Sequence, residues 1–277
     1  MKTLVIVRKP LRMEMVDRFT VYAVDFEGSL ATGILEYGLV GIDSVDGIFS
    51  AETAFCKNRG RILDAEYAHH HISAQQVAKN ADFTNIVPRF LELRTKCFFC
   101  AHNAAFENAL LNSYCPVVLN AYSIGSGVQS SWEPWLDTYV LYKKYFKKTF
   151  RKSIASCSPK SAVSVGACEA GEEKSFRQQT SSVSQSYRSH GLPSGNLQTL
   201  IDGCRLQGVL DDLSDRFCPA SRRHYHGALY DALACALLFL NFIRSEETQT
   251  KTLPKLLQES ASEAASEALQ QPTLFDP

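Results

Sequence analysis

The chain lacks any excess of charge: Lys+Arg and Asp+Glu each number 29 in 277 residues. Global charge therefore argues neither for nor against a nucleic-acid partner, and a local patch would have to supply that attraction. No apolar stretch reaches membrane-spanning length, which excludes a transmembrane-helix reading. The opening MKTLVIVRKP carries too short an apolar run for a signal peptide. A disulfide framework is missing too. The nine cysteines are odd in number and scattered, which points to reduced thiols in a cytoplasmic protein. Cys97-Phe-Phe-Cys100 has no second pair at zinc-ribbon distance, so it reads as core packing rather than a metal clip. The length suffices for one good core plus tails or a small second unit.

What is present begins with Val21-Tyr-Ala-Val-Asp25-Phe-Glu27-Gly28, two carboxylates inside an apolar, β-branched run. The run reads as a buried strand, and side chains at i and i+2 of a strand share a face. Asp25 and Glu27 would then stand side by side. Two anions in one desolvated place repel, and a hard cation such as Mg²⁺ or Mn²⁺ is the simplest remedy. The plainer alternative is a strand end carrying two solvated acids.

Further strands are expected at 35–42 and 47–56, separated by Gly- and Asp-containing breaks that suggest an antiparallel meander. Ser73 is placed to cap a helix through Ala81, and Pro88 sits in the first turn of another. A buried strand at 96–101 precedes a helix at 103–113. A strand near 117–123 and a helix from Asp137 to about Phe146 continue the alternation. The pattern implies an α/β or α+β fold, a mixed sheet flanked by helices. Residues 151–195, rich in Ser, Gln, Gly and Lys, cannot bury enough surface to offset ordering entropy and read as a disordered insertion. An apolar helix is expected from about Gly227 to Arg244, then an Ala/Ser/Glu/Gln-rich flexible tail over 245–277 or a loosely helical linker with no continuous apolar face.

Two more acids stand in suggestive places. Glu107 opens a helix in His102-Asn103-Ala-Ala-Phe106-Glu107. Asp231 shares an apolar helix face with Ala234, Cys235 and Leu238 in His226-Gly-Ala-Leu-Tyr-Asp231. His226 and Asp231 can converge only if His226 lies in the loop before that helix, and Gly227 supplies a break.

On these three blocks the sequence resembles the DnaQ-like, or DEDDh, 3′→5′ exonucleases, the family of the proofreading subunit of bacterial DNA polymerase III. His70-His-Ile-Ser73, Leu136-Asp137-Thr138 and Asn196-Leu-Gln-Thr-Leu are secondary matches. The likeness covers 20–150 and 196–244, with 1–19 as an N-terminal extension. It implies a ribonuclease-H-like fold and two divalent cations, Mg²⁺ or Mn²⁺, on Asp25, Glu27, Glu107 and Asp231. His226 would be the general base, and Gly28, Ser29, His102, Asn103 and Phe106 would hold the terminal nucleotide. The family usually has Asp where this chain has Glu107. The extra methylene adds roughly 1.5 Å of reach, so an active enzyme with weakened affinity for the second cation is expected.

The end of the chain, Gln271-Pro-Thr-Leu274-Phe275, looks like the peptide by which bacterial replication proteins dock on the sliding clamp. That would favour DNA 3′ ends as substrate and a polymerase subunit as partner. An RNA-trimming exonuclease and a non-catalytic nucleic-acid-binding scaffold are the competing readings. Among weaker features, His69-His-His71 reads as a surface loop entering a helix in preference to a metal cluster. Asp137 reads as a helix cap. The basic run Lys143, Lys144, Lys147, Lys148, Arg151, Lys152 fits either phosphate contact or a solvated face.

Overall fold

The first strand, β1 (Thr20–Ser29), sorts its side chains by parity: Val21 and Ala23 enter one core, Val24 and Phe26 another. The structure, a computed structural model, describes residues 18–116, 132–146 and 196–268. Strands β2 (Gly33–Asp43) and β3 (Gly47–Phe55) complete an antiparallel meander with β1. The chain then forms α1 (Asp64–His70), the single turn α2 (Ala74–Val77) and α3 (Val87–Arg94). Two βα units follow: β4 (Phe98–Ala101) with α4 (Ala104–Tyr114), and β5 (Trp135–Asp137) with α5 (Thr138–Tyr145). Both strands run parallel to β1, giving one sheet in the order β3-β2-β1-β4-β5. Helices α6 (Leu197–Gly203), α7 (Gln207–Phe217), α8 (Ala228–Ile243) and α9 (Leu253–Ala268) complete the described chain. This is the ribonuclease-H-like mixed sheet flanked by helices that the sequence implied.

Both faces of the sheet are covered, so β2 is buried at every residue. On one face lies α8, buried along its length except at Asn241 and Ile243, packed on Val21, Ala23, Val40 and Ile42. On the other lies an aromatic layer in which Phe26, Tyr37, Phe83, Phe90 and Phe99 meet mostly edge to face. Burying one such ring contributes roughly 1.5–3 kcal/mol. By parity, Asp25 and Glu27 belong to the α8 face of β1. The fold thus aims the acid pair at the one helix that carries Asp231.

The helix–sheet approach at that end is close. A Cβ at Gly38 would fall 2.1 Å from the Ala228 carbonyl oxygen, a backbone atom that cannot swing aside. Gly38→Ala is expected to destabilise the protein by about 1–3 kcal/mol through overpacking. Urea denaturation reads this directly, and an unchanged midpoint would mean that α8 shifts freely on the sheet.

The seven described cysteines are free thiols. Cys97 and Cys100 are buried, with Cys97 Sγ donating to the Leu93 carbonyl and Cys100 Sγ 3.8 Å from Cys235 Sγ, in keeping with core packing. The expected strand near 117–123 and the segments 1–17, 147–195 and 269–277 lie outside the described residues. Beyond residue 244, where the sequence suggested a flexible tail or a loosely helical linker, α9 packs on β5 and α5 through buried Leu256 and Leu257. Its buried Glu259 accepts from the Tyr145 hydroxyl and lies 3.8–4.0 Å from Lys144, Lys251 and Lys255. Lys144, in the basic run, therefore faces a carboxylate of the protein itself. Among the described residues no helix is long and apolar enough to cross a membrane.

Candidate active site

Four acids and one histidine converge where β1 ends. β1 contributes Asp25 and Glu27, and the register then shifts between Glu27 and Gly28. Gly28 adopts φ 131°, and a Cβ there would lie 2.1 Å from the Gly33 carbonyl oxygen, so only glycine lets the strand turn away at this point. Glu107 comes from the first turn of α4 and Asp231 from the first turn of α8. His226 precedes α8 with φ 66°, outside the helix as the Gly227 break required. Its N–H donates to Asp231 Oδ2 at 2.9 Å. As a result, ligand atoms of Glu27, His226 and Asp231 lie within 4.8 Å of one another.

The acids are poorly solvated. Glu27, Glu107 and Asp231 are 6%, 3% and 7% exposed, while Asp25 retains partial access from the cleft. Burial is the main cause that raises all four carboxyl pKa values, and their neighbours' negative charge adds to it at Asp25, Glu27 and Glu107. Glu27 is pushed up to about 8 and Asp231 to about 7, the Arg222 guanidinium opposing both shifts. One oxygen each of Glu107 (Oε2) and Asp231 (Oδ1) is buried with no hydrogen-bond partner. Unsatisfied buried carboxylate oxygens facing a shared centre are the donor set a hard divalent cation takes. The residues present fit such a metal.

Around the acids is an open cleft of about 230 Å³ walled by Gly28, Ser29, Glu66, His69, His70 and Phe106. That is smaller than the roughly 300–1,000 Å³ of enclosed small-molecule pockets. Ser29 shapes the wall through its turn: its N–H donates to Thr32 Oγ1, and its hydroxyl accepts from the N–H groups of Ala31 and Thr32. Phe106 is 40% exposed at the rim. His102 and Asn103, expected at the nucleotide, are not part of this wall. His102 Nδ1 lies 2.9 Å from Thr138 Oγ1, and Asn103 adopts φ 72° at the start of α4 with its N–H on Asp137 Oδ1. His102 thus ties the end of β4 to the start of α5, and Asn103 joins the Asp137 corner at the start of α4.

Asp137 is the cap the sequence suggested, and it serves two helices. Its carboxylate accepts from the N–H groups of Asn103 and Ala104 at α4 and of Tyr139 and Val140 at α5. Each capping interaction contributes about 1 kcal/mol. The N–H of Asp137 in turn donates to Ser260 Oγ at 3.2 Å, tying α9 to the same corner.

The histidine triplet corrects the sequence reading. It is the end of α1, with His71 as a left-handed C-cap, rather than a loop entering a helix. His70 is buried, with Nδ1 accepting from the Ile72 N–H, and burial pushes its pKa down to about 4. His69 packs its ring on His226, centroids 3.7 Å apart and planes 43° apart. His226 is lowered from the usual imidazole value, first by burial and then by the other histidines.

A second feature went unread in the sequence: a buried ion pair behind the acids. Arg222 Nη2 donates to Glu36 Oε2 at 2.6 Å and to the His226 carbonyl at 2.7 Å, and Nη1 donates to the His70 carbonyl at 2.7 Å. Glu36, opposite Glu27 in the β1–β2 register, also accepts from the Ala228 N–H. The pair fixes the end of α1 and the loop before α8, the two segments that bring histidines to the cleft. A lone acid inside the apolar run Ile34-Leu-Glu36-Tyr was the available signal for Glu36, whereas Arg222 carried none.

No family model and no curated protein matches the chain. Solved structures do. A 3′-exonuclease described in 3′-end-specific recognition of histone mRNA stem-loop is 12% identical, with TM-score 0.50, covering 83% of this chain and 84% of that one. E. coli Exonuclease I in complex with a dA16 oligonucleotide is 13% identical, also with TM-score 0.50, covering 91% of this chain and 45% of the exonuclease. What the chain shares with these 3′-exonucleases is the fold: the mixed five-stranded sheet with helices on both faces.

Proposed function

We propose that the protein is a metal-dependent 3′→5′ exonuclease that removes nucleotides from DNA 3′ ends, in replication proofreading or repair. The observation that carries this reading is the convergence of Asp25, Glu27, Glu107 and Asp231 with His226, two of the acids bearing orphaned oxygens. Two divalent cations, Mg²⁺ or Mn²⁺, would be held by the four acids and would polarise the scissile phosphate and the attacking water. The remaining roles fall to the chain itself. His226, its pKa held down by burial, keeps a free imidazole nitrogen to take the proton of that water. Gly28 and Ser29 form the wall against which the terminal sugar lies, and Phe106 offers a ring at the rim for its base. Glu107 stands in for the shorter family Asp, and its buried free oxygen supports a place among the ligands.

The tail peptide Gln271, Leu274, Phe275, outside the described residues, tilts the reading toward DNA through a sliding clamp and a polymerase subunit. The test is shortening of 5′-labelled single-stranded DNA and RNA in Mg²⁺ or Mn²⁺. Stepwise loss from the 3′ end is expected, faster on DNA, and absent in an Asp25→Ala, Glu27→Ala double variant. Folded protein that cleaves neither polymer in either metal would overturn the assignment, and faster RNA shortening would replace the substrate.

A further inference from the structure

The acid cluster contains two overlapping donor sets. One is all oxygen: Asp25, Glu27, Glu107 and Asp231. The other mixes nitrogen with oxygen: Glu27, His226 and Asp231, whose ligand atoms lie within 4.8 Å of one another. Hard ions such as Mg²⁺ prefer the first kind, whereas borderline transition ions such as Zn²⁺ and Co²⁺ prefer imidazole with carboxylate in four-coordinate geometry. We propose that Glu27, His226 and Asp231 form a three-ligand site for a borderline divalent transition ion, an ion that competes with Mg²⁺ and silences the centre.

Three observations support it independently of any fold likeness. Asp231 Oδ1 is buried and unpartnered, while its other oxygen is fixed by the His226 N–H, so the free oxygen and the ring belong to one rigid unit. The ring is held on the cleft wall by its packing on His69. The His226 carbonyl is anchored by Arg222, which limits the loop carrying the imidazole. Three protein donors are the ligand count of zinc centres that keep a fourth position for solvent.

The consequence follows from shared ligands. An ion in this set occupies Glu27 and Asp231, which the hard-cation set also needs, and it binds the imidazole nitrogen that would accept the water's proton. Inhibition is thus built from the residues of the proposed reaction, and it rests on that reading only for its effect on hydrolysis.

The probe is Co²⁺ added to the full chain, read by visible absorption, because tetrahedral nitrogen–oxygen centres absorb far more strongly than octahedral oxygen ones. Intense bands saturating at one ion per chain are expected, without the thiolate charge-transfer absorption that cysteine ligands would give. They should vanish in His226→Asn, since Asn tolerates the left-handed backbone at that position, and persist in His71→Asn. Melting curves confirm that both variants fold. Zn²⁺ in slight excess over protein is expected to cut Mg²⁺-supported hydrolysis by about tenfold or more, reversed by chelator. Faint bands in the wild type, or intense bands surviving His226→Asn, would overturn the proposal. His226-dependent bands in a protein that cleaves nothing in Mg²⁺ or Mn²⁺ would retain this site while removing the exonuclease reading. Cleavage with only faint bands would do the opposite.

Discussion

Arg222→Met is expected to cost about 3–5 kcal/mol of folding stability, the usual consequence of stripping one partner from a buried ion pair. For a protein of this size that lowers the melting temperature by roughly 6–20 °C. The side chains of Arg222 and Glu36 are 5% and 2% exposed, so neither charge has water to fall back on. Removing the guanidinium leaves Glu36 with only the Ala228 N–H, a few ångströms from a cluster already crowded with negative charge. It also frees the carbonyls of His70 and His226, which Arg222 now holds. Adding Glu36→Gln to Arg222→Met should recover a large part of the stability, because the unpaired charge goes with it. Hydrolysis should stay low in the double variant, since His226 has lost its anchor. Thermal denaturation and the nuclease assay on the same three proteins separate the two effects. Equal stability of wild type and Arg222→Met would show that the pair contributes nothing.

The second large effect is expected at Glu27. Glu27→Gln should reduce Mg²⁺-supported hydrolysis by about 10³-fold or more, the loss of several kcal/mol of metal-borne charge stabilisation. In chelator, however, the same variant should be more stable than wild type at pH 8. The sign follows from the raised pKa. A carboxyl whose folded pKa lies above its unfolded value holds its proton more tightly when folded. Its contribution to stability is complete below the unfolded value and disappears as pH rises through the folded one. For Glu27 the interval runs from the ordinary carboxyl range to about 8, and for Asp231 to about 7. Metal-free wild type should therefore lose stability between about pH 5 and pH 8. One pKa unit, about 1.4 kcal/mol, corresponds to roughly 3–6 °C. Mg²⁺ or Mn²⁺ should reverse the loss, and Glu27→Gln should lessen it, leaving the share carried by the other three acids. A melting temperature that is flat over this range in chelator would mean that the acids are better solvated than their burial indicates.

Much of the scaffold was legible because its elements carry strong local signals. The β-branched run around Val21, the Gly and Asp breaks between strands, and the apolar stretch of α8 each determine an element with little help from tertiary contacts. Strand parity set Asp25 beside Glu27, and the Gly227 break let His226 meet Asp231, whereas bringing the two pairs together came from the family resemblance and not from any local signal. What stayed hidden was set by partners distant in sequence. α7 (Gln207–Phe217) is a helix with few buried residues, and α2 stops after four residues where its capping signal suggested more. Arg222 looks like any surface arginine until Glu36 is brought to it by a strand far earlier in the chain. The histidine triplet misled because its character comes from what covers it, His226 on one member and burial on the next. The sequence of α9 shows too little apolar surface to predict docking, yet Leu256 and Leu257 suffice once β5 presents an edge.

The placement of α8 has a consequence for how the protein is made. Among the described residues the sheet strands fall between 20 and 137, whereas the helix packed on β1 and β2 does not end until Ile243. At roughly 5–20 residues per second, a ribosome needs about 5–20 s to travel from the last strand to the end of that helix. During that interval Val21, Ala23, Val40 and Ile42 lack the cover of α8, and Asp25 and Glu27 face neither Asp231 nor His226. A nascent chain therefore carries a sticky, half-built sheet that shielding by a chaperone would protect. It also carries no centre able to attack the messenger or any other nucleic acid beside it, so the proposed activity arises only after α8 has emerged and docked.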